Sequence, residues 1–334
     1  IGSRLAMFLI VVTAIVFVFF VLFLKRQSKF KRDLTAKHIL ITGGSKGIGK
    51  AIAIECFKNG ANLSLFARNE RELQSAKQEI EKHAINEQQC VHYYAIDVSA
   101  DYENVKQTVA KCEQHLGPIH VLFNCVGNAV SHRFDETAID DFKKMIEVNY
   151  LASVYCTKAV LASMKARREG RIVLFSSIAG LIGIYGFSAY SAAKFALTGF
   201  AQSLRMELKP FNISITVAFP PDTDTPGFAK EQETKPLETK LISEGGGLFS
   251  PELVAEQTLK DTFDGKFAST LGLESFAVKM SCSGMFPVDS VKELLLQIAT
   301  LGIFRALSVC FLYSCDRIVR KHASAQSVPD KKSM

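Results

Sequence analysis

Six short runs of β-branched and aromatic residues recur along this chain with helix-period stretches between them, and that alternation restricts the fold more than any other feature. The runs are HILIT (38–42), NLSLFA (62–67), VHYYAI (91–96), IHVLFN (119–124), RIVLFS (171–176) and ISITVAF (213–219), and helical patterns open near Gly49, Glu70, Tyr102, Asp140 and Ser188. Strand, helix and strand repeated in this way predict a doubly wound α/β fold, a parallel sheet with helices on both faces. At 334 residues and 48% hydrophobic content the chain is long enough for one such domain with appendages. We expect the domain at 34–267, an anchor and basic flank at 1–33, and an apolar, membrane-associated region with a basic tail at 268–334. After Phe219 the pattern loosens into a stretch rich in Pro, Gly, Thr and charge, and residues 221–250 read as a loop lying over a site.

The appendages point to a bilayer. Residues 5–24, LAMFLIVVTAIVFVFFVLFL, carry no charge and only Thr13 as a polar side chain, about the ~20 residues that a helix needs to cross a membrane. A signal peptide competes with a transmembrane anchor, but no small-residue cleavage site follows; KRQSKFKR does. Those bases place the remainder of the chain in the cytosol. Near the other end, LLLQIATLGIFRALSVCFLY (294–313) is apolar except for Gln297 and Arg305. A charge at mid-span leaves open a membrane span, an interfacial helix or a hairpin packed on protein.

The net charge of +7 resides in these ends: five bases against one acid in 25–33, and five against two in 314–334. The body has no basic excess suited to nucleic acid. Eight cysteines without a C-x-x-C, and histidines without a ligand pair, indicate neither a metal site nor a disulfide framework, in keeping with a reducing compartment.

The first strand runs into TGGSKGIGKAIAIECF, with Gly43, Gly47 and Gly49 at a strand-to-helix turn. Such a turn brings the backbone of Ser45, Lys46, Gly47, Ile48 and Gly49 to a pyrophosphate at a helix N-terminus. An NAD site wants an acid at the end of the second strand. Here that strand ends FARN, and Arg68 together with Lys46 suits the 2′-phosphate of NADP instead. Asp97 and Val98, past the third strand, are expected to flank the adenine.

One further spacing carries chemistry. In GFSAYSAAKFAL, Tyr190 and Lys194 stand one helical turn apart with only Ser191, Ala192 and Ala193 between them. Tyr-x-x-x-Lys alone is weak, since YENVK at Tyr102 repeats it. Only the first pair has a serine, Ser177, at the end of a strand thirteen residues earlier. A phenol of ordinary pKa ~10 is a slow proton shuttle near neutrality. Bringing it to ~7 with an adjacent ammonium takes about 4 kcal/mol, within reach of a cation in a water-poor cleft. Ser177 can then donate to a carbonyl oxygen as charge develops on it.

In these motifs, taken in order over residues 36–265, the chain resembles the short-chain dehydrogenase/reductase family. The resemblance implies a seven-stranded Rossmann sheet and bound NADPH/NADP+. It implies Tyr190 as general acid, Lys194 on the nicotinamide ribose, Ser177 on the substrate carbonyl and Asn149 of EVNY holding a relay water. Asn124 and Gly127 of NCVG, with Pro220, Thr223 and Thr225 beyond the sixth strand, complete the implied cofactor site. Cys125 and Val126, and the second proline of Pro220-Pro221, depart from the family pattern, and either threonine could reach the nicotinamide amide. The resemblance also allows a homo-oligomer, since family members are often dimers or tetramers assembled through helices that include the one bearing Tyr190. Within the family, ITVAFPPDTDTPGF, TKPLETKLISE and GIFRALSVCFLYSCDRIVRK resemble the reductases of long-chain sphingoid ketones. This implies reduction of 3-oxosphinganine, a long-chain amino-ketone lipid, to sphinganine at the cytosolic face of the endoplasmic reticulum membrane. The terminal KKSM resembles a dilysine retrieval signal, which must be cytosolic, so the C-terminal region is expected to cross the bilayer twice or not at all. A steroid or 3-ketoacyl-thioester reductase would need the same catalytic residues, and a non-catalytic NADP-binding scaffold would keep the fold alone.

Overall fold

A computed structural model describes residues 32–326, with side chains as far as His322. The expected anchor at 5–24 and the terminal lysines at 331–332 lie outside the described residues. The first half alternates as β1 (His38–Thr42), α1 (Gly47–Lys58), β2 (Asn62–Ala67), α2 (Glu70–Glu81), β3 (Val91–Ala95), α3 (Tyr102–Leu116) and β4 (Ile119–Asn124). Then α4 (Ile139–Ile146) runs through a π turn at Glu147–Leu151 into α5 (Ala152–Arg167), followed by β5 (Gly170–Phe175), α6 (Ser188–Leu208) and β6 (Ile213–Phe219). Beyond them come α7 (Pro226–Thr234), α8 (Leu237–Ser243), α9 (Pro251–Phe263), β7 (Ala268–Thr270), α10 (Leu273–Ser281) and α11 (Val291–Gln326).

The seven strands form one sheet in the order β3-β2-β1-β4-β5-β6-β7, every pairing parallel. This is the expected doubly wound fold. β1 is buried along its whole length, which explains why HILIT shows no alternation: both faces of a parallel sheet are covered by helices. The helices show the complementary period. α6 buries Ala189, Ala193, Leu197, Ala201, Leu204 and Leu208, a stripe at three- and four-residue spacing. The chain doubles back at β1, whose neighbours are β2 on one side and β4 on the other. The crevice at the carboxyl ends of the strands beside that switch is where open α/β sheets bind ligands.

Three regions depart from the expectation. Residues 221–250 contain two helices rather than an open loop. α7 begins where Thr225 Oγ1 accepts a hydrogen bond from the Phe228 amide at 3.1 Å, with Pro226 next. A capping threonine followed by proline starts a helix even in a polar stretch with no apolar period. The sheet also extends past residue 267, because Ala268–Thr270 is the seventh strand, paired to β6. Finally, α11 is one unbroken helix, not a hairpin. It packs on α8 and α10, and the Lys279 ammonium meets the Glu293 carboxylate at 2.6 Å near its start. Along its outer face Leu294, Leu295, Ile298, Leu301, Val309 and Leu312 are exposed, and its mean hydropathy of 1.9 over the best window is enough for a membrane helix by length and composition.

Candidate active site

A cavity of about 570 Å³ opens at the carboxyl edge of the sheet. Its floor is the turn after β1. Gly43 has φ +66° and Gly47 φ +56°, left-handed conformations that glycine adopts without strain. A Cβ on Gly49 would lie 2.4 Å from the Gly43 carbonyl oxygen, so the turn closes only with glycine there. Lys46 caps α1 without using its side chain, which leaves the first amides of the helix available to an anion. The residues therefore fit a dinucleotide phosphate.

The expected bases, Arg68 at the end of β2 and Lys46 in the glycine turn, each stand beside an acid. Arg68 is 73% exposed with Nη1 4.0 Å from Asp97, and Lys46 stands 3.3 Å from Glu72. Burial alone would push the Asp97 carboxyl up, but hydrogen bonds from Ser99 and the charge of Arg68 outweigh it and hold the carboxyl low. Ser99 donates from its hydroxyl at 2.6 Å and from its amide at 3.0 Å. Glu72 escaped the sequence reading because it lies one turn inside α2, past the position where a ribose-binding acid is sought. It can be found from the cap: Asn69 Oδ1 accepts from the Glu72 amide at 3.2 Å, which turns the acid toward the glycine turn, where Ser45 Oγ donates to it at 3.4 Å.

At the other end of the cavity Ser177, Tyr190 and Lys194 come together. Ser177 caps a single 3₁₀ turn just after β5, its Oγ accepting from the Ala179 amide at 3.2 Å. Lys194 is buried, 4% exposed, and its Nζ donates to the Phe175 carbonyl at 2.8 Å and lies 5.5 Å from the centre of the Tyr190 ring. Burial pulls the Lys194 ammonium down to about 7. Tyr190 moves opposite to the expectation. Burial and the negative charges of Glu231 and Asp222 push its phenol up, while a hydrogen bond with Ser177 works against them. The phenol thus keeps its proton at neutral pH, the state a proton donor requires.

Asn149 and Asn124 lie outside the cavity wall. Asn149 sits in the π turn, wholly buried. Its Nδ2 donates to the Asn128 carbonyl at 2.9 Å and its Oδ1 accepts from the Asn128 amide at 3.2 Å, so it grips the loop after β4. A Cβ on Gly127 would lie 2.9 Å from Asn149 Oδ1 and 3.2 Å from Lys194 Nζ, which brings the loop against both. Asn124 is buried at the end of β4, Nδ2 donating to Thr157 at 3.3 Å. Gly127, Val98, Ile48, Pro220, Thr223 and Thr225 do line the cavity. The Thr223 hydroxyl donates to the Pro221 carbonyl at 2.8 Å, and the Thr225 methyl lies 3.1 Å from the position a Cβ would take on Gly47. Thr225 thus covers the glycine turn and Thr223 braces the strand end.

Residues from the last third of the chain close the cavity. Asp222 and Glu231, Ile242 of α8, Glu274 of α10 and Phe311 of α11 all stand in its wall. None has a spacing signal in the sequence.

The chain matches the short chain dehydrogenase family over residues 37–236. It is 51% identical over 288 residues to a 3-dehydrosphinganine reductase of Danio rerio, covering 86% of this chain and 87% of that one. It is 49% identical to a 3-ketodihydrosphingosine reductase of Bos taurus at the same coverage, and 35% identical to 3-dehydrosphinganine reductase TSC10B of Arabidopsis thaliana over 90% of this chain and 89% of that one. The crystal structure of levodione reductase superposes with a TM-score of 0.65 at 23% identity, covering 71% of this chain and 96% of that chain, which bears on the fold.

Proposed function

This chain belongs to the short chain dehydrogenase family, and from that membership we propose that it reduces 3-oxosphinganine to sphinganine with NADPH at a membrane surface. Its animal relatives bear the names of this activity. The observation that carries the reading is that one cavity joins Ser177, Tyr190 and Lys194 to Phe311, a residue of the long apolar helix α11. A ketone with a long alkyl tail would find catalytic groups and a lipid-seeking wall in the same space.

NADPH, when bound, supplies the hydride to the carbonyl carbon. The glycine turn and the N-terminus of α1 hold its pyrophosphate, and Arg68 and Lys46 take the 2′-phosphate. Ser177 donates a hydrogen bond to the carbonyl oxygen, and Tyr190 gives that oxygen its proton as charge develops there. With burial and two nearby carboxylates disfavouring its ionised form, Tyr190 is a proton donor from the outset. Lys194 holds the ribose and, as a buried amine titrating at about 7, can return a proton to the phenol. Asn149 fixes the Asn128 backbone and supports a water on that return path.

In this reading the protein works at the endoplasmic reticulum membrane with its catalytic unit in the cytosol. The bases after residues 5–24 support it. In the same reading α11, an unbroken helix with Arg305 near the middle of its apolar stretch, lies along the bilayer.

The test is NADPH oxidation by the detergent-solubilised protein with 3-oxosphinganine, a steroid ketone and a 3-ketoacyl thioester side by side. Strong preference for the sphingoid ketone is expected, with Tyr190→Phe losing roughly 10²- to 10⁴-fold in rate. Turnover of only another ketone would keep the mechanism and reject the substrate.

A further inference from the structure

The catalytic residues account for the carbonyl of a substrate and α11 for a tail, but a charged network beside Tyr190 has not been assigned any part of the substrate. Lys235, just after α7, is buried with its side chain 1% exposed. Its Nζ stands 2.9 Å from the Glu231 carboxylate and 3.5 Å from that of Asp222. The rings of Phe187 and Phe228 flank the same ammonium, with centroids 5.5 and 5.3 Å from it. Phe187 in turn packs on Tyr190, ring centres 5.4 Å apart. Network and catalytic phenol therefore share one aromatic partition.

The two acids face the cavity and the lysine stands behind them. Asp222 and Glu231 belong to the cavity wall, as does a third carboxylate, Glu274. Lys235 is the ion-pair partner of both carboxylates. One ammonium cannot fill the acceptor sites of two carboxylates, and both acids stand in the cavity wall. With both ionised, two carboxylates and one ammonium leave the group with one uncompensated negative charge. A buried carboxylate without full compensation is costly, and burial accordingly pushes the Asp222 and Glu231 carboxyls up while Lys235 opposes it. One further cation arriving from the cavity would neutralise the set.

We propose that Glu231 and Asp222, backed by Lys235, form a specificity subsite for the protonated amine of the substrate, holding it beside Tyr190 so that the neighbouring carbonyl meets the phenol. The inference rests on the function proposed above. In a 2-amino-3-ketone the amine stands on the carbon next to the carbonyl, so a carboxylate near the phenol is where such an amine must find its partner. The cavity is then polarised along its length. Lys46 and Arg68 meet phosphate at one end, and three carboxylates meet an ammonium at the other.

The experiment compares kcat/KM for 3-oxosphinganine and for its des-amino analogue, 1-hydroxyoctadecan-3-one, in the full-length protein and in Glu231→Gln and Asp222→Asn. The wild type is expected to prefer the amine roughly 10- to 100-fold, as a site built around a polar group rejects the analogue lacking it. Each substitution should reduce that ratio by about tenfold, chiefly through KM for the amine. NADPH binding by fluorescence verifies that each variant is folded. If one variant does not fold, the other and the wild-type ratio still decide. Equal use of both ketones by the wild type, or an unchanged ratio in a folded variant, would overturn the subsite while leaving the reductase reading intact. A protein that reduces neither compound but does reduce a steroid ketone would instead overturn the substrate on which the subsite depends.

Discussion

Arg68 is mostly exposed and loosely paired with Asp97 at 4.0 Å, so it can turn toward a phosphate at little cost. Replacing it with alanine is expected to weaken NADPH by roughly 10- to 100-fold, the scale of a charge-assisted hydrogen bond, and to leave NADH nearly unaffected. Titration of the two cofactors against the purified variant checks this, and equal weakening would refute the assignment of Arg68 to the 2′-phosphate. At this scale the sequence was readable wherever a mechanism imposes a spacing. Gly43, Gly47 and Gly49 are fixed by a turn, and Tyr190 and Lys194 by one helical turn. The network of Asp222, Glu231 and Lys235 could not be seen, because Asp222 and Lys235 meet across a short helix folded over the site and the i,i+4 spacing of Glu231 and Lys235 is that of an ordinary surface pair. Asn149 was found by resemblance, yet its place behind the wall follows from a π turn that the spacing does not announce.

His38 illustrates how an element can carry a pH dependence of its own. It lies at the start of the central strand β1, fully buried, its Nδ1–H donating to the Gly117 carbonyl at 2.7 Å and its Nε2 accepting from the Ser64 hydroxyl at 2.9 Å. Both nitrogens are occupied by a neutral ring, and burial pulls its pKa down to about 4 from an ordinary 6.5. As pH falls below 6.5 the unfolded chain takes up this proton and the folded chain does not. Its contribution is therefore complete above 6.5 and is lost as pH falls toward 4, by up to about 3 kcal/mol. Urea midpoints at pH 7 and pH 5 should differ more for the wild type than for His38→Gln, and parallel behaviour would reject the argument. Strands such as β1 were legible from composition because buried parallel strands are continuous apolar runs. α7 and α8 were not, because they are held by a cap, prolines and a buried lysine, with no apolar stripe to betray them.

At the scale of the whole molecule, the body and α11 present different surfaces. The sheet and its helices close over one core, whereas the outer face of α11 leaves leucines, isoleucine and valine uncovered. A chain beginning at residue 32 is expected to float with phospholipid vesicles, and one ending at residue 290 as well is expected to remain in solution. Retention of the shorter chain on vesicles would assign the attachment elsewhere. Because Phe311 belongs both to that helix and to the cavity wall, the ketone of the proposed function would not need to dissolve in water to reach Tyr190. Its working concentration would then be a mole fraction of the surface, and turnover is expected to obey surface dilution: inert phospholipid should slow the enzyme even when the amount of substrate per volume is held constant.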